Sequence, residues 1–150
     1  MRRIHTFLVA VTLAAVLGVV ALSPALPPSM AHASCFGSAC NGYYPNQVGC
    51  NGGPNPNGVG GNWTYGANGG SVSDFYSSAC NAKYAHVAIG AGPAAQIAWE
   101  IYSNDGTHSY VGYSPSPAGQ WDGELLSYQS VSVCGGIWNG SYHLTCYSEP

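Results

Sequence analysis

Six cysteines constrain the fold of this 150-residue chain more than any other feature, and all of them follow residue 34. They are Cys35, Cys40, Cys50, Cys80, Cys134 and Cys146. An even number of cysteines in a small exported chain is typical of a disulfide framework, here of three bridges. Zinc ligands usually come in close pairs such as C-x2-C, whereas the intervals here are 4, 9, 29, 53 and 11 residues. We therefore expect no metal and no cofactor.

The sequence leaves the pairing of these cysteines open, with one restriction. Cys35, Cys40 and Cys50 are three in number, so they cannot all pair among themselves. At least one bridge must join this early segment to the rest of the chain, and Cys80 is its expected anchor.

The start of the chain has the pattern of an export signal. Arg2 and Arg3 precede an apolar run of about 16 residues, Phe7 to Leu22, which ends at Ser23-Pro24. Such a run is short for a membrane helix, which needs roughly 20 residues. Ala31-His32-Ala33 fits signal peptidase, with cleavage before Ser34. We expect residues 1–33 to be a secretory signal peptide containing a helix, the protein to be secreted, and membrane contact to occur only through this segment. An uncleaved anchor is the alternative.

The chain has very few charges, which excludes one class of partner. It contains 3 basic and 6 acidic residues, or 6% of the sequence, against roughly 25% in ordinary soluble domains. Nucleic-acid binding needs lysines and arginines along one face to displace counterions from the phosphates. This sequence has no such run, so we expect no nucleic-acid partner.

The exported part divides by composition into two segments that we expect to pack as one unit. Residues 34–70 are rich in Gly, Asn and Pro, which excludes a long helix, although Asn62 to Tyr65 predicts one short strand. Residues 71–150 have the patterns of a β domain, with strands at Ser71–Tyr76, Ala82–Ile89 and Gln96–Tyr102.

Two hairpins complete the predicted β domain. Asn104-Asp105-Gly106 predicts a three-residue loop into the strand Thr107–Tyr113, and Asn139-Gly140 predicts a two-residue turn joining Gly136–Trp138 to Ser141–Leu144. Glu124–Val133 predicts a further strand. The fold class is therefore all-β, with about six short antiparallel strands in a small disulfide-crosslinked sandwich or partly open barrel.

The predicted second hairpin bears on one disulfide. If Trp138 faces Ser141, Cys134 faces Thr145, and Cys146 lies one residue out of register on the opposite side of the strand. A Cys134–Cys146 bridge would then require a bulge, for which Gly135-Gly136 is the natural place.

Several spaced motifs resemble a known family. Cys35-x4-Cys40-Asn41-Gly42, Pro45, Cys50, Tyr76-Ser77-x2-Cys80-x-Ala82-x-Tyr84-Ala85-His86-Val87 and Val133-Cys134-Gly135 are similar to domain-of-unknown-function family 2690, a group of exported bacterial domains. The resemblance covers about 100 residues and implies export, disulfides and a β-rich fold. Tyr44, Phe75 and His86 stand where the family pattern has Asp, Arg and Arg, and Cys146 lies outside that pattern. The family has no established activity to transfer.

Aromatic residues are the most informative candidates for function. The chain has 4 Trp and 11 Tyr, in company with many Asn, Ser and Gly. Flat rings among amides and hydroxyls suit stacking on sugars and contact with polymer or protein surfaces. Trp99 shares a face with Ile97 and Ile101, so we assign it to the core. The rings next to turns are the expected exposed binding residues: Trp63, Tyr65, Trp121 and Trp138.

Catalytic signals are weak, so we expect a binding module rather than an enzyme. The expected partner is a cell-wall or other extracellular polysaccharide, or a secreted protein. His86, His108 and His143 do not form a metal-binding motif, and no Gly-x-Ser-x-Gly sequence is present. The alternative is a small secreted hydrolase that uses a histidine or carboxylates, for example Glu100 and Asp122 as a glycosidase pair.

Overall fold

The computed structural model describes residues 33–92, 96–115, 117 and 119–150. Ala31 to Pro150 form one compact unit, so the Gly/Asn/Pro-rich segment and the later strands belong to the same body. The predicted signal peptide lies outside the described residues except for Ala33. In the described part of the chain, no helix is long and apolar enough to cross a membrane.

The fold is all-β, as predicted, and its described part contains nine strands. In chain order the strands are β1 (Gly53–Pro54), β2 (Gly60–Tyr65), β3 (Asn68–Ser77), β4 (Ala82–Ala91), β5 (Gln96–Ser103), β6 (Ser109–Tyr113), β7 (Gln120–Asp122), β8 (Val131–Trp138) and β9 (Tyr142–Ser148). They are preceded by a 3₁₀ turn, Gly37–Cys40, and one α-helical turn, α1 (Pro45–Val48).

The strands form two antiparallel sheets packed as a sandwich. In the first sheet β1 and β2 pair with the same strand, β3, which is followed by β4 and β7. In the second sheet the order is β6-β5-β8-β9. Within the described residues the two sheets do not join into a closed barrel.

The core lies between the sheets and follows from strand alternation. Ile97, Trp99 and Ile101 point inward from β5, as predicted, and pack with Val72 and Val87 of the first sheet. Trp99 is fully buried, and glycines 112 and 123 lie directly against its indole ring. A Cβ at either glycine would collide with the ring, so the core can hold this tryptophan only where both neighbours lack side chains.

The hairpins correct two details of the sequence analysis. Trp138 pairs with Tyr142, so the second hairpin has a three-residue loop instead of two residues, with φ +99° at Gly140. The extra loop residue moves Cys146 directly opposite Cys134, and the bridge forms without the predicted bulge. In the first hairpin the predicted three-residue loop is also too short, because Ser103 N donates to His108 O and β6 begins only at Ser109.

The predicted strand Glu124–Val133 is largely wrong. Strand β8 begins at Val131, and before it only Leu126 forms an isolated bridge, with Lys83. Leu125 and Leu126 are fully buried because they pack under neighbouring segments, so their apolar character reflects burial rather than extended pairing.

Three disulfides are present: Cys35–Cys40, Cys50–Cys80 and Cys134–Cys146. Cys80 anchors the early segment, as predicted. We call residues 35–50 the crosslinked segment. It packs on the outer face of the first sheet, where Cys40, Val48 and Cys50 form a second core. The other buried members of this second core are Cys80, Ala82, Tyr84 and Leu125.

Candidate functional site

An aromatic cluster lies on the outer face of the second sheet. Because Ile97, Trp99 and Ile101 face the core, alternate residues of this sheet face away from it. On that outer face Tyr113 pairs with Ala98, and Trp138 pairs with Tyr142. We call Tyr113, Trp138 and Tyr142 the aromatic cluster.

The three rings of the cluster touch one another. The Tyr113 and Trp138 rings are stacked, with centroids 4.7 Å apart and planes 6° apart. The Tyr142 ring packs at a tilt against the Trp138 ring, with the two centroids 4.6 Å apart. Tyr113 is 41% exposed and Tyr142 is 39% exposed, so two rings held in place by Trp138 present apolar surface to solvent.

The surface around the cluster has acidic groups but no lysine or arginine among the described residues. Glu100 lies on this outer face, where burial raises its pKa, and the Glu124 carboxylate lies near Tyr142. Burial also raises the pKa of Tyr142, with further contributions from the nearby Tyr113 and Glu124. This face therefore presents rings, hydrogen-bonding groups and acidic side chains, and no lysine or arginine of the described residues lies on it.

A recess of about 420 Å³ lies at the β7 edge of the first sheet. His86 Nδ1 lies 2.6 Å from Asp122 Oδ1, because the two residues are paired across β4 and β7. The His86 ring also stacks on Phe75, with centroids 4.3 Å apart. The residues that line the recess are Tyr44, Asn46, Gln47, His86, Gln120, Trp121 and Asp122.

The back of this recess is a second, more buried aromatic group. Trp121 stacks on Trp99 with centroids 5.8 Å apart, and Tyr44 packs edge-on against both. Trp99 Nε1 donates to Glu124 Oε2 over 2.6 Å. Burial raises the pKa of Tyr44 to about 12, and the adjacent Glu124 carboxylate adds to the shift. Trp121 Nε1 is buried and has no hydrogen-bond partner in the described structure.

The structure separates the four predicted binding aromatics. Trp138 belongs to the aromatic cluster, whereas Trp121 lines the recess on the other sheet. Tyr65 is exposed and stacks on His143, with centroids 3.7 Å apart. The expectation that Trp63 is exposed is wrong, because it is 2% exposed and donates from Nε1 to Ser71 O. Its strand, β2, alternates so that Trp63 points between the sheets while its neighbours point outward.

The predicted catalytic pair does not converge. Glu100 lies on the outer face of the second sheet and Asp122 on the outer face of the first, so the core separates the two carboxylates. The histidines are also dispersed. His108 lies in the first hairpin loop with Nδ1 2.6 Å from Tyr128 Oη, and His143 bonds to Ser141 and Asn139.

Sequence reasoning did not single out Tyr113 or Tyr142, which complete the aromatic cluster. The predicted three-residue loop of the first hairpin would place Tyr113 opposite Ile97, on the core face, whereas the observed register pairs it with Ala98. Once Ile97, Trp99 and Ile101 are assigned to the core, residues paired with Ala98 must face away from it. The register that brings Tyr142 against Trp138 could not be read, because it depends on one additional loop residue.

Two groups of described residues have sulfur or carboxylate atoms close enough to hold a metal. The four sulfurs of Cys35, Cys40, Cys50 and Cys80 form one group, and Glu100 with Cys134 and Cys146 forms the other. In both groups the cysteines are paired as disulfides.

Comparison with protein-family models, curated proteins and solved structures found no match for this chain. The resemblance to family 2690 therefore stays a prediction. The small disulfide-crosslinked β-sandwich is consistent with a module that works outside the cell, in an oxidising environment.

Proposed function

We propose that the protein is a secreted, non-enzymatic module that binds an uncharged polysaccharide of the cell wall or extracellular matrix. The observation that carries this proposal is the exposed aromatic cluster on the outer face of the second sheet. Its rings offer the apolar surface on which the C–H faces of sugar rings pack.

The charge of the molecule favours an uncharged ligand. Lys83 is the only cationic lysine or arginine in the described residues, and it is bound to Glu149 over 2.6 Å. An anionic polymer would therefore meet no available Lys or Arg, and the cluster lies beside Glu100. The rings of the cluster and the Gln96 amide of β5, opposite Trp138, instead match the hydroxyl-rich surface of a neutral glycan.

Retention of the oxidised protein on insoluble polysaccharides and cell walls tests this proposal. We expect retention, and we expect Trp138→Ala and Tyr142→Ala to weaken it by roughly tenfold or more, as aromatic binding residues commonly do. Tyr43→Ala is the matched control, because Tyr43 is also an exposed tyrosine but lies in the crosslinked segment. No retention on any polysaccharide, or equal losses in all three variants, contradicts the proposal. Cluster-dependent binding to a secreted protein would identify a protein partner instead.

A hydrolase is the second candidate, and the recess on the first sheet is the observation that favours it. The 2.6 Å contact from Asp122 Oδ1 orients the His86 ring, and an oriented histidine in a recess is the arrangement that general acid–base chemistry requires. Tyr44 and Trp121 would pack against the substrate in the same recess.

The two candidate functions differ in the residues that they require. A screen of glycan, peptide and ester substrates should show turnover that disappears in His86→Ala and Asp122→Asn if the protein is a hydrolase. The variant Glu100→Gln is the control, because Glu100 lies on the opposite face of the sandwich. Polysaccharide retention without turnover supports the binding module.

A further inference from the structure

The two disulfides beneath the crosslinked segment lie against each other. Cys50 Sγ is 3.7 Å from Cys35 Sγ and 4.0 Å from Cys40 Sγ, although Cys50 is bonded to neither of them. With Cys80 included, all four sulfurs lie within 4.8 Å of one another.

This arrangement is close to a known metal geometry. Four thiolates bind zinc at about 2.3 Å in a tetrahedron, which places the sulfurs about 3.8 Å apart. Two of the four non-bonded separations between the disulfides, from Cys50 to Cys35 and to Cys40, already have nearly this value, and the other two are no longer than 4.8 Å. The main movement needed for the four sulfurs to surround one ion is the separation of the two bonded pairs.

We propose that the reduced protein binds one Zn²⁺ through Cys35, Cys40, Cys50 and Cys80. The same four sulfurs then exist either as two disulfides or as a zinc tetrathiolate. This site is independent of the polysaccharide-binding function, because it lies under the crosslinked segment on the first sheet.

Backbone hydrogen bonds also contribute to the positions of these cysteines. Gly37 N donates to Cys80 O over 2.6 Å, which joins the 3₁₀ turn to the turn after β3. Cys50 N donates to Pro45 O over 2.8 Å, which fixes Cys50 against the end of α1. Cys35 is partly exposed while the other three are fully buried, so it provides the side from which a reductant and an ion can enter.

The two disulfides become the zinc site in two steps, reduction and metal binding. Each disulfide takes two electrons from a reductant, such as a phosphine that becomes a phosphine oxide with oxygen from water, and gives two thiols. The four thiols then lose four protons to solvent as Zn²⁺ binds, which leaves a complex of net charge −2. Re-oxidation by two equivalents of a small-molecule disulfide, which accept four electrons and four protons and become four thiols, re-forms the two protein disulfides and releases the ion.

Cobalt(II) is the probe for the test, because tetrahedral thiolate ligation gives it strong visible absorption that octahedral Co²⁺ lacks. The protein is reduced with a phosphine under anaerobic conditions and titrated with Co²⁺. We expect the tetrahedral spectrum to saturate at one ion per chain and to disappear on addition of Zn²⁺.

Cysteine variants locate the site. The double variant Cys134→Ser/Cys146→Ser should keep this spectrum, whereas Cys35→Ser, Cys50→Ser and Cys80→Ser should each weaken Co²⁺ binding by roughly 100-fold or more, since a first-sphere ligand is lost. Reduction of the double variant should change the fluorescence of the buried Trp63 and Trp99, and added Zn²⁺ should restore it. The proposal is overturned if no tetrahedral spectrum forms at one equivalent, or if the three single variants bind as tightly as the parent. Cys35→Ser keeps the test decisive should the variants at the buried positions fail to fold.

Discussion

The outer faces of the two sheets differ in how far they are covered. On the first sheet, the crosslinked segment buries Ala82 and Tyr84 beneath Cys40 and Cys50. On the second sheet, Tyr113 and Tyr142 remain exposed at their positions around Trp138. A chain with so few charges has few charged side chains with which to keep two sheet faces in water. Covering one face with a short disulfide-bonded segment leaves the other available for a ligand.

The difference between the two faces has an energetic basis. The crosslinked segment contains only α1 and a 3₁₀ turn, and its backbone would lose about 1 to 2 kcal/mol of entropy per residue on ordering. Disulfides reduce that loss because they restrict the unfolded chain. The second sheet needs no such help, since continuous strand pairing holds β5, β8 and β9 in register.

Removing single disulfides is the strongest test of this difference. On loop-closure grounds alone, Cys50→Ala/Cys80→Ala should cost about 4 kcal/mol, Cys134→Ala/Cys146→Ala about 3 and Cys35→Ala/Cys40→Ala about 2. The first variant also disrupts the second core, so we expect it to unfold or to lose the most stability in urea titration. The oxidised parent should keep its structure in EDTA. If loss of Cys134–Cys146 costs more than loss of Cys50–Cys80, the second face is the one that depends on crosslinking.

Two leucines provide a matched pair of smaller changes. Leu125 is fully buried in the second core and exchanges backbone hydrogen bonds with Gly42 and Tyr43, whereas Leu144 is half-buried on β9 opposite Gly136. Leu125→Ala should cost about 2 to 5 kcal/mol because it leaves a cavity under the crosslinked segment. Leu144→Ala should cost about 1 kcal/mol or less, because water can fill the space. Equal losses in chemical denaturation would show that the second face is as covered as the first.

The sequence was sufficient for the architecture and insufficient for the site. Period-two alternation in Gln96–Tyr102 identified the core face of β5, and the odd number of early cysteines required the long-range bridge that Cys80 provides. Residues 124–130 were misread because two buried leucines look the same in a strand and in a packed loop. Trp63 was misassigned because a strand among glycines gives no sign of which side faces the core. The aromatic cluster depends on register across four strands, which local patterns do not encode.

The two outer faces differ only as long as the sheets stay packed together. Asp74 lies at one end of the interface between the sheets, so its titration tests whether this packing depends on pH. Asp74 is 2% exposed, and its Oδ2 accepts a hydrogen bond from Asn55 over 2.6 Å. Burial, together with the neighbouring Glu149 carboxylate, raises its pKa from 3.8 to about 7, against the opposing effects of the Asn55 hydrogen bond and of Lys83. The folded protein therefore holds a proton that the unfolded chain releases.

The proton on Asp74 determines whether the stability of the folded protein rises or falls with pH. Between about pH 4 and about pH 7 the folded state binds more protons at Asp74 than the unfolded state, so stability falls as pH rises, by at most about 1.4 kcal/mol per pH unit. Asp74→Asn keeps the shape and supplies an N–H where the protonated acid has its O–H. Subtracting its urea-unfolding free energy from that of the parent at several pH values isolates Asp74 from other titrating groups, such as Asp105, whose pKa is lowered to about 2 by hydrogen bonds from Ser103 and Thr107. We expect the parent to lose stability relative to the variant across this window, and a constant difference would mean that Asp74 is ionised in the folded protein throughout.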